Sequence, residues 1–338
     1  MGSLRTIARR VAYDSGVLGA NHWLRHRDTL TVVMFHRITT IGSPAEKNAD
    51  PGYCVAAPLF AACLRFFRRH YTVVGLEQLR TSLLGGVPLP PRSLLVTFDD
   101  GWQDNVSVAL PILRRQGFPA TVFVAADVLA ETTTWWWQEI LMRALRTGRA
   151  SWEQLWTLAG GGDRPAGEPE LVLLARYGAL DPSLRRRLLA PFAGDADGEG
   201  AHMIGPGGLR ELAAGGVALG AHGAGHLPLT MLAEPESDLG RARTVLEPQL
   251  RSLDQPLDAL SFPHGRYDTA SLAAARAAGF SILLTSDPCL NAAPAGRPGA
   301  LLGRIPIDTA AIIDEAGAFA PSRLATWLFH RPVAALAG

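Results

Sequence analysis

Short apolar runs that end on polar or glycine-bearing turns recur along this chain. Leu94, Leu95, Val96 and Phe98 form one, and it delivers two adjacent carboxylates, Asp99 and Asp100, ahead of Gly101. Apolar residues at consecutive positions suit a strand covered on both faces, which places the acids at its carboxyl tip. LTVVMF at residues 30–35 repeats the pattern and ends at His36. Further strands are predicted over 71–75, 120–125, 217–221, 257–262 and 281–285. Helical spacing marks 58–70, 76–84 (closed by Gly85 and Gly86), 209–214 and 269–278. Residues 106–116 also read as a helix, with Pro111 predicting a kink or a late start. Alternating strands and helices predict a parallel sheet or barrel, and such folds carry their chemistry at the carboxyl ends of the strands. Adjacent strand residues point to opposite faces, so two acids serving one site require a backbone turn, which Gly101 permits.

From about 131 to 208 the pattern changes. Trp135, Trp136 and Trp137 stand in a row, helical stretches follow, and glycines at 160–162 and within 194–200 interrupt them. No His or carboxylate cluster lies at ligand spacing there, so a helical insertion or lid is expected, with the tryptophans buried or forming a sugar-stacking face. Residues 1–28 form a basic N-terminal segment containing Arg5, Arg9 and Arg10, and 29–338 read as one domain. The segment predicts a solvated helix on the exterior or one lying on a membrane. It lacks the continuous apolar core of a signal peptide and no stretch approaches a transmembrane span, so the expected location is cytoplasmic, with peripheral attachment to the inner membrane as the alternative.

Composition narrows the chemistry. The 338 residues are 48% hydrophobic and 19% charged, with a net charge of +1, which gives no electrostatic case for a nucleic-acid partner. Lys47 is the single lysine, so Schiff-base or lysine-base mechanisms are disfavoured. Cys54, Cys63 and Cys289 include no CxxC pair and read as three buried thiols.

The polar turns supply the candidates. GAHGAGH at 220–226 places His222 and His226 four apart after an apolar strand, in a glycine-shaped loop. With a carboxylate such as Asp100 they make a mixed nitrogen and oxygen set suited to zinc, leaving positions open for water and substrate. LSFPHGRYD at 260–268 ends another strand in a rigid turn, the kind that can aim a backbone N–H at a substrate oxygen. Arg304, in LLGRIPID, follows an apolar pair and reads either as a carboxylate-orienting group or as a surface arginine.

Taken together, TFDDG at 97–101, HGAGH at 222–226 and SFPHG at 261–265 resemble the motifs of the polysaccharide deacetylase family, the NodB-homology or carbohydrate esterase family 4 enzymes. The resemblance spans roughly 30–128 and 208–308. It implies an α/β fold, a distorted (β/α)7 TIM-like barrel with the helical Trp-rich insertion, and hydrolysis of an N-acetyl group on an amino sugar. It further implies Asp99 as general base, and Asp100, His222 and His226 as ligands of a divalent ion, zinc being the expected one. The backbone N–H of His264 matches the family's oxyanion donor. Three departures stand out: Gly223 replaces the usual Ser or Thr, Ser261 replaces the usual arginine, and no late Leu-x-x-His supplies an acid. A circularly permuted branch of the family carries its acid on an early strand, and VMFHRI resembles that pattern, so His36 is the candidate acid and Arg304 the candidate substitute for the arginine.

The implied substrate is an N-acetylated polysaccharide or lipid-linked saccharide. A deformylase or other small-amide hydrolase on the same site is one alternative. An inactive glycan-binding member of a polysaccharide assembly complex is the other.

Overall fold

The staves of the barrel are β1 (Thr29–Phe35), β2 (Ser93–Phe98), β3 (Ala120–Val124), β4 (Val217–Ala221), β5 (Ala259–Ser261) and β6 (Ile282–Leu284). Each pairs in parallel with the next. Every residue of β2 and β3 is buried, as expected of strands covered on both faces. The computed structural model describes residues 4–130, 136–163, 166–193 and 203–334.

Closure comes from a broken seventh stave. After β7 (Leu290–Ala292), which runs antiparallel to the start of β1, the chain forms β8 (Leu301–Leu302) on β6 and then β9 (Ile305–Pro306) on β1. Gly303 and Arg304 lie in the break between the two. Asn291 pins this seam, accepting from Gly303 N at 2.8 Å and donating to the carbonyls of Gly303 and Leu30. A Cβ at Gly303 would lie 2.2 Å from Cys289 Sγ, so the seam closes only around glycine. The architecture is thus an α/β barrel of seven parallel staves, the last one interrupted.

Several local expectations shift by a few residues. The strand expected over 71–75 is only Thr72–Val73, and the helix expected from 209 begins at Pro206. Asn105–Ala109 forms a π-helical turn that runs on into the α-helix Leu110–Gln116, so the irregularity expected at Pro111 is a π turn just before it. Cys54 and Cys63 are buried free thiols, whereas Cys289, in the loop leading into β7, is partly exposed, contrary to the expectation of three buried thiols.

Outside the barrel, α1 (Leu4–Asp14) and α2 (Val17–Arg25) form the N-terminal segment. Between β3 and β4 lie α3 (Trp137–Arg146) and helices Trp152–Leu158, Pro169–Gly178 and Pro182–Ala193. Residues 131–135, with Trp135, and 194–202, with the glycines at 194–200, lie outside the described residues. Then come α4 (Pro235–Arg251) and α5 (Pro321–Phe329), the latter packed against α1 and α2. Among the described residues no helix is long and apolar enough to cross a membrane.

Candidate active site

Asp99 leaves β2 with its amide donating to Phe35 O, so the tips of β1 and β2 are level and His36 lies beside Asp99 along the rim. The chain then turns at once. Asp100 takes φ 74° and Gly101 φ 88°, so the reversal that lets both acids serve one site falls on Asp100 itself as well as on the glycine. A left-handed aspartate costs on the order of 1 kcal/mol per residue.

Asp99 is buried and chelated by Arg304, with Nη1 to Oδ1 and Nη2 to Oδ2 each at 2.7 Å. The remaining N–H groups of that guanidinium reach Thr285 O, Thr97 Oγ1 and Ser261 Oγ, so a fully buried arginine has all its donors engaged. Burial alone would raise the Asp99 pKa; the charge of Arg304, then that of His222, outweighs it and holds the carboxyl well below the usual carboxylate range. Ser261, at the motif position where an arginine is usual, accepts from Arg304 and sits 3.3 Å from Asp99 Oδ2.

Asp100 faces two imidazoles, and the Nε2 of one of them, His222, also lies 3.7 Å from Asp99 Oδ2. Asp100 Oδ2 accepts from Trp102 Nε1 at 2.9 Å, while its Oδ1 is buried without a hydrogen-bond partner. That oxygen lies 3.5 Å from His222 Nε2 and 3.2 Å from His226 Nε2. The ring tautomers follow from what lies behind them. His222 Nδ1 donates to Ser261 O at 2.8 Å. Gln138, on α3, donates its amide to the carbonyls of Gly225 and His226, which leaves its Oε1 to accept from His226 Nδ1 at 2.8 Å. On each ring Nδ1 is thus the donor, and the Nε2 atoms are the ones that face Asp100 Oδ1. Burial, followed by the neighbouring His264 and His222, pushes His226 well below its ordinary pKa, so its ring is neutral. An orphaned carboxylate oxygen and two imidazole Nε2 atoms, with ligand atoms all within 4.8 Å of one another, fit a divalent cation of the zinc kind.

The glycine loop carrying both histidines is held from α4: Asp238 accepts from the backbone N–H of Ala224 at 2.7 Å and Gly225 at 3.1 Å. At Gly223, φ is 68° and a Cβ would lie 3.0 Å from Asp238 Oδ2, so the usual Ser or Thr does not fit this loop. His264 occupies a strained turn, φ 56°, with its ring 4.4 Å from that of His226 and Nε2 3.3 Å from His226 O. Burial, then His222, lowers it to about 4. His36 is partly buried with its ring edge-on to Tyr53. Burial lowers its pKa, partly offset by Asp100 and Asp99, whose fields it feels across the mouth.

Two contributors have little sequence signature. Gln138 comes from the insertion, where its one cue is a polar side chain sharing a helix face with Leu141 and Leu145. Trp102 anchors Asp100 and is itself capped by Arg37, whose guanidinium lies 4.1 Å over the ring and whose Nε bonds Asp104 at 2.8 Å. Trp136 is buried 4.9 Å from the His226 ring, and Trp137 is buried under Arg185, so neither offers an open stacking face.

Acids and imidazoles gathered at the carboxyl mouth of a closed parallel barrel define a hydrolase-type site on a (β/α)7 scaffold. The polysaccharide deacetylase family profile matches residues 86–283, more than half of the chain, and the chain belongs to that family, whose members hydrolyse N-acetyl amide bonds. It is 32% identical over 92 residues to the poly-beta-1,6-N-acetyl-D-glucosamine N-deacetylase of Escherichia coli K12; the match spans 26% of this chain and 13% of that protein's length. In fold it is similar to the Streptococcus pyogenes deacetylase PplD (17% identity, TM-score 0.56, 89% of this chain and 99% of that one). It is likewise similar to IcaB from Ammonifex degensii (19%, 0.56, 89% and 97%).

Proposed function

We propose that this protein is a metal-dependent N-deacetylase acting on a glycan that contains N-acetylated amino sugars, with β-1,6-linked N-acetylglucosamine as the first substrate to try. The observation that carries the reading is Asp100 Oδ1, buried and unpartnered between the Nε2 atoms of His222 and His226. A divalent ion on Asp100, His222 and His226 would supply Lewis-acid polarisation of the amide carbonyl and acidification of water.

The chain's own groups do the rest. Asp99, kept ionised by Arg304, accepts the proton of the attacking water; its depressed pKa makes it a ready but weak base, dependent on a water already acidified. The tetrahedral oxygen meets the backbone N–H of His264. His36, at the β1 tip beside Asp99, gives a proton to the departing amine, which breaks the C–N bond and frees acetate. Arg304 orients the base in place of the motif arginine. Gln138 fixes the tautomer of His226 from behind.

Acetate release from N-acetylglucosamine oligomers tests the reading: it should stop after treatment with a chelator and return when zinc is restored. Formate release preferred over acetate from matched N-acyl substrates would move the assignment to a small-amide hydrolase. Glycan binding without turnover by the zinc-loaded protein would leave only a binding role.

His36→Ala should lower turnover by about 10²- to 10⁴-fold with metal content unchanged, the loss expected of a missing general acid; an unaffected rate would remove His36 from the mechanism. Gln138→Leu should weaken zinc binding by about 10- to 100-fold without abolishing it, read as a higher zinc concentration for half-maximal activity. Unchanged zinc affinity would reduce Gln138 to a packing residue.

A further inference from the structure

α1 and α2 are amphipathic helices seated with their apolar faces outward. Ile7 and Val11 on α1, and Val17, Trp23 and Leu24 on α2, are between 55% and 71% exposed. The faces turned to the protein are more polar. Tyr13 bonds His70 at 3.3 Å, and His22 is buried against Phe329, ring on ring at 4.0 Å. A helix on a globular protein ordinarily does the reverse and covers its apolar stripe with the core.

The charge around this face is one-sided. Residues 4–28 hold five arginines and two aspartates, a surplus of three positive charges in a chain whose total is +1. Arg10 is exposed on α1, 3.6 Å from the exposed Asp14, and Arg25 at the end of α2 is exposed beside the apolar stripe. Arg92 lies 5.0 Å over the ring of the exposed Trp23. Beneath α1, a groove of about 420 Å³ is lined by Arg9, Arg323, His330 and Arg331, with Asp308 as its one carboxylate.

We propose that the outward face of α1 and α2 docks on the surface of an anionic phospholipid bilayer, its apolar side chains entering the headgroup boundary and its arginines meeting lipid phosphates. Helices of 11 and 9 residues are far too short to span a bilayer, and an apolar stripe flanked by arginine and an exposed tryptophan is the chemistry of a helix lying in the interface plane. A second copy of the chain is a poorer occupant. A two-fold contact would set this positive face against itself, whereas anionic headgroups complement it. The proposal is independent of the catalytic reading, since the site's residues take no part in it.

Sedimentation of the full chain with vesicles tests it. Binding to vesicles of phosphatidylglycerol and phosphatidylcholine should exceed binding to phosphatidylcholine alone by about tenfold or more at low salt. Val11→Ser/Leu24→Ser should lower the partition coefficient on the mixed vesicles by about tenfold or more. Arg10→Glu/Arg25→Glu should bring binding to the mixed vesicles down to the phosphatidylcholine level. The proposal is overturned if the protein stays in the supernatant with both vesicle types, or if neither double variant changes its sedimentation. It is equally overturned if the chain forms a concentration-dependent dimer that Val11→Ser/Leu24→Ser dissolves, an outcome that assigns the face to a second copy.

Discussion

Asp99→Asn should reduce acetate release by at least about 10²- to 10⁴-fold, and it should also lower the stability of the fold. The first effect follows from removing the proton acceptor proposed for the attacking water. The second follows from Arg304, which is fully buried and directs two N–H groups at the Asp99 oxygens at 2.7 Å. Asparagine offers one oxygen and turns an N–H toward the other guanidinium donor. A buried cation stripped of its counter-charge costs about 3–5 kcal/mol. Calorimetry should therefore show a lower melting midpoint for Asp99→Asn. Asp99→Asn/Arg304→Met should recover much of the lost stability while staying inactive, because the unpaired charge is gone and the base is still missing. Full activity in the single variant would sink the base assignment. An unchanged melting midpoint would show that the pair is not desolvated as the structure has it.

His222→Ala is expected to abolish both zinc retention and turnover. Its ring is fixed by Ser261 O, and its Nε2 is one of two imidazole nitrogens facing Asp100 Oδ1, so the variant keeps two of the three proposed ligands. A ligand that binds the folded state alone stabilises it by about 2.7 kcal/mol at one hundred times its dissociation constant. Zinc should accordingly raise the melting midpoint of the natural chain and leave that of His222→Ala unmoved. Metal analysis showing undiminished zinc in purified His222→Ala would remove this residue from the ligand set.

Much of the barrel was legible because its staves obey one rule. Residues 94–98, 120–124 and 217–221 are apolar runs bounded by turns, and the acids and histidines at their ends marked the mouth. The seam was not legible. β8 and β9 are two residues each, too short for any periodicity, and what joins them to β6 and β1 is a glycine fitted against Cys289 and an asparagine clamp. For that reason Arg304 read equally as a surface residue. Gln138 is not legible because one amide on a helix face carries no pattern, and its contact arises only when α3 packs on the loop of His226. In the N-terminal segment the basic residues are legible, but which side of each helix the protein covers is not. The Asp-Asp turn was half legible, since Gly101 announced it while the left-handed Asp100 did not.

The broken stave has a bearing on how this protein is made. Asp99 emerges early in synthesis, and the guanidinium that neutralises it lies 205 residues further along. Until the ribosome has released that segment and the Gly303 break has seated between the first and sixth staves, the rim carries an uncompensated acid. A nascent chain, or one whose final stave has peeled away, lacks the bidentate partner that fixes the Asp99 carboxylate as well as the closure of the barrel. The orientation of the proposed base is therefore set at the last step of folding.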